Sequence, residues 1–462
     1  MIVAENIVKK ALDAGLSTGA DFAEIFIEDT YSSTLKMMDS KPQKAIVGEL
    51  YGAGVRLFFG KEVIYVTTND LSETGLVKAA LSAASTRGDG RATTKAENFK
   101  FTPFDQLHHY GTKPWEMDLH KKFKWLSALD QAARKHSSVV TQVIPHLNEK
   151  FQKVQIANSK GMMSTDSRAH SRLTVEVYAE MNGQKESFHE NIFRMGTSDF
   201  IDSENLVELA TRVAQKAIDL LGAQHAPAGK MPVVIDNGFG GVIFHEACGH
   251  GLETTSVSKN ASVFCEKLGT KVGHECLTAI DDGTIEGGWG SLKVDDEGNP
   301  TTKTVLIENG ILKSYMVDEL GSLKTGYAIT GSGRRQSYKF APTSRMRNTF
   351  IQAGKDSFDE MIKDIDYGLY ARSMGGGSVN PGTGEYNFSV QEGFVIRNGR
   401  VEELVKGACL IGKGIDSLGK ITKVSSDLKL ASGMCGSESG TIPAAVGQPQ
   451  ILVSEILVGG RS

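Results

Sequence analysis

His245-Glu246-Ala247-Cys248-Gly249-His250-Gly251-Leu252-Glu253 is the stretch around which the chain is organised, because it places two imidazoles and a carboxylate within six residues. Neutral imidazole is the commonest metal ligand in proteins, and zinc hydrolases use a Glu beside the first His as general base. The spacing is one residue longer than His-Glu-x-x-His, so on a regular helix the imidazoles would point ~140° apart. We expect the helix to be distorted or to end between them, and Gly249 and Gly251 favour an ending.

The third ligand of such a site would come from a cysteine. Cys435 is the best candidate, because its glycine-flanked loop, Ser432-Gly433-Met434-Cys435-Gly436, lets a thiolate reach a metal without a bulky neighbour. His274, Cys265 and Cys276 are weaker candidates, since their spacing matches no standard zinc site. The alternative is that the two histidines of the motif are unrelated residues beside a glycine turn.

Bulk composition excludes several classes of protein. The 462 residues, 40% hydrophobic and 23% charged, are typical of a globular protein of two or more domains. A net charge of −4 gives no electrostatic reason to expect nucleic-acid binding. No apolar run is long enough to span a membrane, and the N-terminus shows no signal-peptide pattern. Five irregularly spaced cysteines indicate a reducing compartment, the cytoplasm, without a disulfide framework.

The fold class that we expect is α+β, with an N-terminal α/β domain over 1–225 built from two related units with a mixed sheet. The first unit is predicted to have a helix over 3–15, strands near 23–28, 33–39, 44–51, 55–59 and 63–66, and a helix over 72–86 with Asp70 and Glu73 as its capping box. After a polar connection over 87–116, the second is predicted to have a helix to about 136 capped by Asp118, strands near 138–146, 150–157, 171–181 and 185–193, and a helix over 204–222.

The remainder, 226–462, is predicted to be a mostly antiparallel β domain that carries the metal motif. Asn309-Gly310 and Asn398-Gly399 are two-residue hairpin turns between apolar runs. A last strand is expected over 451–458 and a helix near 357–371. Asp281-Asp282-Gly283 is expected to be a turn rather than a pair of catalytic carboxylates.

Two further stretches could contact a substrate. Gly331-Ser332-Gly333-Arg334-Arg335 could hold an anion, such as a peptide carboxylate, with backbone N–H groups and guanidinium groups. The alternative is a turn with solvated arginines. The run from Gly375 to Gly384 is too irregular for a phosphate-binding loop, and we expect its glycines, Gly376 and Gly377 among them, to let a backbone or an extended peptide approach closely.

Together these motifs resemble one known family. The stretch 245–253, Asp281-Asp282-Gly283-Thr284-Ile285, 330–338 (TGSGRRQSY), Arg345-Met346-Arg347-Asn348-Thr349, Gly375-Gly376-Gly377 and 432–436 resemble the TldD/PmbA family. In the first half, 19–24 (GADFAE), 52–56 (GAGVR) and 68–71 (TNDL) are similar to it as well. The intact His-Glu-x-x-x-His motif points to the TldD branch. Trp289 departs from the pattern, since an arginine-rich turn is expected there.

The resemblance implies a cytoplasmic zinc metallopeptidase that degrades unfolded peptides and removes leader peptides from modified precursors. By motif position, the ligands of Zn²⁺ would be His245, His250 and Cys435, and Glu246 would be the base. Family members pair with a metal-free PmbA (TldE) paralogue, so a heterodimer is expected, with a homodimer as the alternative. The family also carries the label of a DNA gyrase modulator, which makes a non-enzymatic regulatory protein the rival hypothesis.

For the substrate, we expect an extended peptide lying against a sheet edge, held by main-chain hydrogen bonds with little side-chain selection. Folded proteins cannot offer a free strand, so this mode would select unfolded peptides. Arg334, Arg335, Gly376 and Gly377 are the candidate substrate-binding residues.

Overall fold

The computed structural model describes residues 2–87, 90, 94–101, 110–380 and 382–460. Within these residues, no helix is both long and apolar enough to cross a membrane. Part of the predicted connection over 87–116 lies outside the described residues, as does Pro381 in the glycine-rich run.

The described residues of the first half contain four α-helices and seven strands. They are α1 (Glu5–Leu16), β1 (Phe22–Met38), β2 (Lys41–Phe59), β3 (Glu62–Thr68), α2 (Glu73–Ser85), β4 (Lys100–Phe101), α3 (Leu119–His136), β5 (Val140–Asn158), β6 (Met162–Met181), β7 (Gln184–Arg194) and α4 (Leu206–Gly222). Among the described residues, helix, three antiparallel strands and helix occur in this order twice, once over 5–85 and once over 119–222.

All seven strands form one sheet, in the order β3-β2-β1-β5-β6, with β7 and β4 both on β6. The long strands are antiparallel, and β1 and β5 join the two units at the centre. The predicted mixed sheet is therefore wrong for the six long strands, because only the two-residue β4 runs parallel to its neighbour. Strand β4, with two residues, is too short for a hydrophobic pattern to predict.

Several predicted strands prove to be halves of longer ones. The strands predicted near 23–28 and 33–39 are one strand, β1, and those near 138–146 and 150–157 are one strand, β5. Polar residues such as Thr30 and Gln152 interrupted the apolar alternation, yet both are buried. They lie on the sheet face opposite to the helices, which the second half of the chain partly covers.

The helix ends confirm one predicted cap and correct another. Asp118 accepts a hydrogen bond from His120 N (3.0 Å), as predicted for α3. At α2 the cap is Ser72, whose Oγ accepts from Gly75 N (3.1 Å), and Asp70 instead accepts from Ser72 N (3.0 Å). The predicted Asp70 capping box is wrong, because the helix begins two residues later than that box requires.

The second half contains five short α-helices and sixteen strands in its described residues. They are β8 (Gln224–His225), β9 (Gly229–Ile235), α5 (Val242–Ala247), α6 (Thr254–Val257), β10 (Ala279–Asp282), β11 (Lys303–Glu308), β12 (Ile311–Leu312), α7 (Glu319–Thr325), β13 (Gly333–Arg334), β14 (Thr343–Ser344), β15 (Asn348–Ile351), α8 (Phe358–Ile362), β16 (Tyr367–Asn380), β17 (Glu385–Arg397), β18 (Arg400–Lys406), β19 (Cys409–Lys413), α9 (Gly414–Lys420), β20 (Ile421–Val424), β21 (Lys429–Ser437), β22 (Gly440–Gln448) and β23 (Ile451–Gly459).

Two sheets dominate this half. Strands β16, β9, β23, β19 and β17 close on themselves through the β16–β17 pairing and form a five-stranded barrel. A six-stranded sheet has the order β12-β11-β10-β15-β22-β21. Helix α5, which carries the metal motif, packs between the barrel strands β16 and β17 and the sheet strands β15 and β22. The largest apolar core fills this space.

Most second-half predictions are confirmed. Both Asn-Gly turns form, with Asn309 and Asn398 at positive φ, and β23 covers the predicted last strand. The long helix near 357–371 is wrong: α8 ends at Ile362, and the apolar residues beyond it, such as Leu369, belong to β16. Asp281 and Asp282 lie in strand β10 rather than in a turn, because Asp281 is buried against Arg347, with an Nε–Oδ2 distance of 2.7 Å.

Buried ion pairs join the two halves. Arg56 Nη2 lies 2.6 Å from both Glu24 Oε2 and Glu297 Oε1. Arg335 Nη2 lies 2.7 Å from Glu24 Oε1, and the Arg168 guanidinium contacts Asp296 (2.5 Å). We call these residues, with Asp166, the interdomain network. It fixes the polar face of the first sheet against the loop around Asp295-Asp296-Glu297.

Candidate metal centre

The backbone between the two histidines of the motif is broken, as the spacing predicts. Helix α5 ends at Ala247, Cys248 has φ −130° and ψ −46°, and a 3-10 helix then runs over Gly249–Leu252. This break brings the rings of His245 and His250 to a centroid distance of 5.3 Å, nearly perpendicular at 89°. Side chains that would diverge on a regular helix therefore converge.

The glycines of the motif act through their lack of a side chain, not through a left-handed helix end. Neither Gly249 nor Gly251 is among the described residues with positive φ. A Cβ on Gly249 would collide with the thioether of Met346, and one on Gly251 would lie 2.8 Å from Phe264. The prediction that the helix ends here is confirmed, but the reason is close packing against these two side chains.

Cys435 completes the group from strand β21. The ligand-capable atoms of His245, His250 and Cys435 all lie within 4.8 Å of one another, and all three residues are buried. The Cys435 Sγ is 3.3 Å from His250 Nε2. Among the residues that the structure describes, this is the one group of three or more such side chains that could hold a metal ion.

The electrostatics of this trio suit a cation. Burial opposes ionisation of the Cys435 thiol, but the imidazoles of His245 and His250 outweigh it and hold the pKa of Cys435 well below its usual value. Metal binding requires the thiolate form of cysteine. The buried Nδ1 of His245 has no hydrogen-bond partner in the described chain. The donor set thus fits a metal ion, because two imidazoles and a thiolate face one point.

Two residues that the sequence did not single out as functional hold the ligands in place. Glu253 Oε2 lies 3.1 Å from His250 Nδ1, which leaves Nε2 to face the thiol. Arg345 donates from Nη2 to the carbonyl oxygen of Cys435 (2.5 Å) and from Nη1 to Gly440 O (2.9 Å). A carboxylate that orients a ligating His is a common feature of metal sites. In the sequence, only the three-residue spacing from His250 could have indicated that Glu253 orients this histidine.

Glu246 lies at the edge of the trio. Its Oε2 is 3.6 Å from His250 Nε2, and its side chain is 24% exposed, against 10% for His250. A general base needs access to both the reacting atoms and water. Glu246 alone among the four predicted catalytic and metal residues combines that proximity with partial exposure.

Trp289, the departure from the family pattern, lies behind the cysteine ligand. Its indole Nε1 donates to Gly433 O (2.9 Å), two residues before Cys435 on β21. Its ring packs edge-on against His170 and Phe193 of the first half, at centroid distances of 4.9 and 5.6 Å. Trp289 therefore connects the ligand-bearing strand to the first sheet.

The two predicted substrate-binding arginines are buried. Arg335 belongs to the interdomain network, and its Nη1 also lies 3.1 Å from the Tyr65 hydroxyl. Arg334 donates from Nη1 to Met346 O (2.8 Å), and burial lowers the pKa of Arg334 to about 10. Neither is a solvated arginine in a turn. Their role in substrate binding stays a prediction.

The glycine-rich run is part of the β16–β17 hairpin. A Cβ on Gly377 would collide with the backbone of Asn387 across the hairpin, whereas one on Gly376 would meet no atom within 4 Å. Both glycines are exposed. The close backbone approach at Gly377 is thus provided by the chain itself, and contact of either glycine with a peptide stays a prediction.

The weaker ligand candidates do not join the trio. His274 Nδ1 lies 3.1 Å from Cys276 Sγ, a pair without a third ligand among the described residues. Cys265 Sγ contacts the carbonyl oxygen of Val257 at 3.8 Å. All five cysteines are unpaired, as the composition predicts.

A buried His/His/Cys group beside a partly exposed glutamate, in an α+β fold, is the arrangement of a metallopeptidase. Profiles described as PmbA/TldA metallopeptidase domain 1, central domain and C-terminal domain match residues 23–86, 112–221 and 228–460. The chain belongs to the PmbA/TldD metallopeptidase family, and the predicted family and enzyme class are confirmed.

The names of individual relatives agree with this family assignment. The Metalloprotease TldD homolog of Haemophilus influenzae is 35% identical over 455 residues, which cover 96% of this chain and 93% of the relative. The Zinc metalloprotease TldD homolog of Saccharolobus solfataricus is 30% identical, covering 74% of this chain and 75% of the relative. The crystal structure of TldE from Thermococcus kodakarensis has a TM-score of 0.79 at 16% identity, covers 98% of this chain and 100% of its own, and shows the shared fold.

Proposed function

We propose that this metalloprotease hydrolyses unfolded peptides, including leader peptides, with Zn²⁺ held by His245, His250 and Cys435 and with Glu246 as the general base. The observation that carries the proposal is the convergence of the three ligand atoms within 4.8 Å beside the partly exposed Glu246. Two imidazoles and a thiolate suit zinc, and one relative carries the name of a zinc metalloprotease.

When bound, zinc supplies a Lewis acid at a position where three protein ligands leave room for a fourth. Glu246 is placed to take a proton from the attacking water and to return it to the nitrogen of the leaving amine. Glu253 keeps the His250 ring in one orientation, and Arg345 holds the carbonyl of Cys435. The chain thus provides a base with access to water and ligands whose positions are fixed before substrate arrives.

The free edge of β21 supports extended binding of the peptide. β21 is the outer strand of its sheet. Ala445 of β22 donates its N–H to Arg347 O, away from β21, and Ala445 pairs with Ser432. Because main-chain groups alternate between the edges of a strand, those of Ser432, Met434 and Gly436 point to the free edge. These groups, on both sides of the cysteine ligand, can hydrogen-bond a peptide strand without selecting its side chains.

We further propose that the active form is a dimer, with a TldE-like paralogue as the partner and a second copy of the chain as the alternative. The likeness of fold to TldE supports a common ancestry of such partners. The five unpaired cysteines favour the cytoplasm as the compartment.

The test is a Glu246→Ala variant, assayed for zinc content and for hydrolysis of several disordered peptides of unrelated sequence. We expect zinc content to stay at the wild-type level and hydrolysis to fall by about 10²–10⁴-fold, the usual contribution of a general base. Glu402→Ala, which removes an exposed glutamate on β18, is the control and should leave hydrolysis unchanged. A fully active Glu246→Ala variant would refute the mechanism.

A further inference from the structure

A cavity of about 430 Å³ lies between the polar face of the first sheet and the β21–β22 hairpin. Leu50, Trp289, Met434 and Pro443 contribute apolar walls. The remaining lining is polar and comes mainly from the central strands β1, β5 and β6. His245, Glu246, His250 and Cys435 do not line this space.

The position of the cavity relative to the free edge of β21 makes it accessible to a bound peptide. Side chains alternate between the faces of a strand, so Met434 points away from the face that Cys435 gives to the metal centre. Met434 pairs with Pro443, and both line the cavity. In a peptide strand added to this edge, the residues on the Met434 face would direct their side chains towards the cavity.

Arg172 gives the cavity an unpaired positive charge. It is half-buried, and its guanidinium has no ion pair or hydrogen bond in the part of the chain that the structure describes. Burial without a partner lowers the pKa of Arg172 below its usual value. Lys150, one strand away on β5, adds a second cation, whose Nζ lies 3.4 Å from Gln336 O. A guanidinium that lines a cavity and has no acceptor in the protein is available to bind the carboxylate of a ligand.

Glu149, the one carboxylate among the described residues that line the cavity, does not neutralise Arg172. Glu149 Oε2 lies 2.6 Å from Lys122 Nζ and accepts from Ser33 Oγ (2.7 Å), and its Oε1 accepts from Ser198 Oγ (2.6 Å). Both of its oxygens therefore already have hydrogen-bond partners other than Arg172. Glu28, which attracts Lys150 electrostatically, accepts from Gln152 Nε2 (2.6 Å).

Thr30 provides a second and independent sign of a missing ligand. It lines the cavity, its side chain is only 5% exposed, and its buried hydroxyl has no hydrogen-bond partner among the described residues. Thr30 is opposite Gln152, whereas Arg172 is opposite Asn148, four residues along β5, so the Thr30 hydroxyl would contact a different part of a bound peptide from the carboxylate at Arg172. Buried polar atoms without a partner are rare in native structures, so an orphan that lines a cavity points to a bound group.

We propose that this cavity is a carboxylate-binding subsite of the peptide-cleaving site, with Arg172 as its principal cation and Lys150 as a supporting cation. The carboxylate is that of a substrate peptide, either an Asp or Glu side chain or the C-terminal group. The inference rests on the proposed peptidase function. It adds charge selection at one substrate position to binding that is otherwise through the main chain.

The experiment compares kcat/KM of the zinc-loaded full chain for a set of disordered peptides. The reference peptide is neutral and C-terminally amidated. One series carries a single Glu moved along the sequence, and another peptide carries a free C-terminal carboxylate. In the wild type we expect one carboxylate position to be preferred over the reference by about tenfold, the value of one charge-assisted hydrogen bond. The identity of the preferred peptide shows whether the subsite binds a Glu side chain or the C-terminal carboxylate.

The preference should disappear in Arg172→Gln and return in part in Arg172→Lys. Arg400→Gln removes one positive charge from an exposed hairpin turn and should keep the wild-type preference. Zinc content and circular dichroism check that each variant is folded. An equal preference in wild type and Arg172→Gln would overturn the subsite and leave the proposed function intact.

A wild type that cleaves none of the peptides, both alone and with the TldE-like paralogue added, would overturn the proposed function instead. The subsite is then tested by measuring peptide affinity. Fluorescently labelled versions of the same peptides are titrated with the Glu246→Ala protein, and binding is followed by fluorescence anisotropy. Tighter binding of the carboxylate peptide that is lost in Glu246→Ala/Arg172→Gln supports the subsite. Equal affinities for all peptides would contradict it.

Discussion

The metal centre and the interdomain network are both built from buried ionisable side chains, yet they differ in how those side chains are paired. In the network every guanidinium faces a carboxylate, as Arg56 faces Glu24 and Glu297. In the metal centre two imidazoles and a thiol face one another, and the buried His245 Nδ1 has no partner in the described chain. Mutual pairing indicates a structural role, and convergence on one point indicates a ligand.

The comparison shows why burial alone does not identify a functional site. Arg334 and Arg335 adjoin in sequence and are equally buried, but Arg335 is paired with Glu24, whereas Arg334 has no carboxylate within ion-pair distance among the described residues. In the network, the free-energy cost of burying each guanidinium is offset by a carboxylate. In the metal centre, we expect a bound metal cation to offset the cost of burying the Cys435 thiolate.

The largest expected effect is the loss of metal in Cys435→Ser. A serine hydroxyl is not ionised near neutral pH and cannot replace a thiolate ligand. We expect about one zinc per chain in wild type purified without chelator and nearly none in the variant, measured by elemental analysis. Cys276→Ser, a change of the same kind outside the trio, is the control. If Cys435→Ser kept as much zinc as Cys276→Ser and the wild type, the metal would be bound elsewhere.

Breaking the network should give a smaller effect of a different kind. Arg56→Met removes the cation that two buried carboxylates share, and the loss of one partner of a buried pair costs about 3–5 kcal/mol. We expect urea unfolding at a lower concentration with zinc content per folded chain unchanged. Lys10→Met is the control: its ion pair with Glu73 is exposed (55% and 46%), so the free energy of unfolding should change by less than about 1 kcal/mol. Loss of zinc in Arg56→Met would mean that the two regions are coupled.

The sequence predicted most of what is local and little of what depends on contact between the halves. The Asn-Gly turns and the cap at Asp118 follow from the properties of neighbouring residues. The break in the metal motif was predicted from its spacing, but its cause is packing against Met346 and Phe264. The full length of β1 does not follow from neighbouring residues either, because its buried polar residues look like a loop until the second half covers them.

The same distinction applies within the metal centre. His245, Glu246 and His250 are adjacent in sequence and were found from their spacing, and Cys435 from its glycine-flanked loop. Arg345 was seen only as part of a family motif, because its partners Cys435 and Gly440 are 90 and 95 residues away and no periodicity links them. A ligand carries a chemical signature in the sequence, whereas the residue that positions it is defined by the fold.

The smallest expected effect concerns a residue that belongs to both patterns, Glu253. Like a network carboxylate it is buried and has a charged neighbour, Arg345, at 3.9 Å, but it also accepts from the His250 ligand. Glu253→Gln keeps the size and one acceptor and removes the charge that fixes the His250 tautomer. We expect zinc affinity to fall by about 10–100-fold, as for other carboxylates that orient a ligating His, with near-stoichiometric zinc still bound at saturation. Competition with a chromogenic zinc chelator measures this, and Glu402→Gln on the exposed face of β18 is the control. If Glu253→Gln instead lost stability and kept its zinc affinity, Glu253 would have a structural role like the carboxylates of the interdomain network. Contact with a ligand residue would then not distinguish the metal centre from the network.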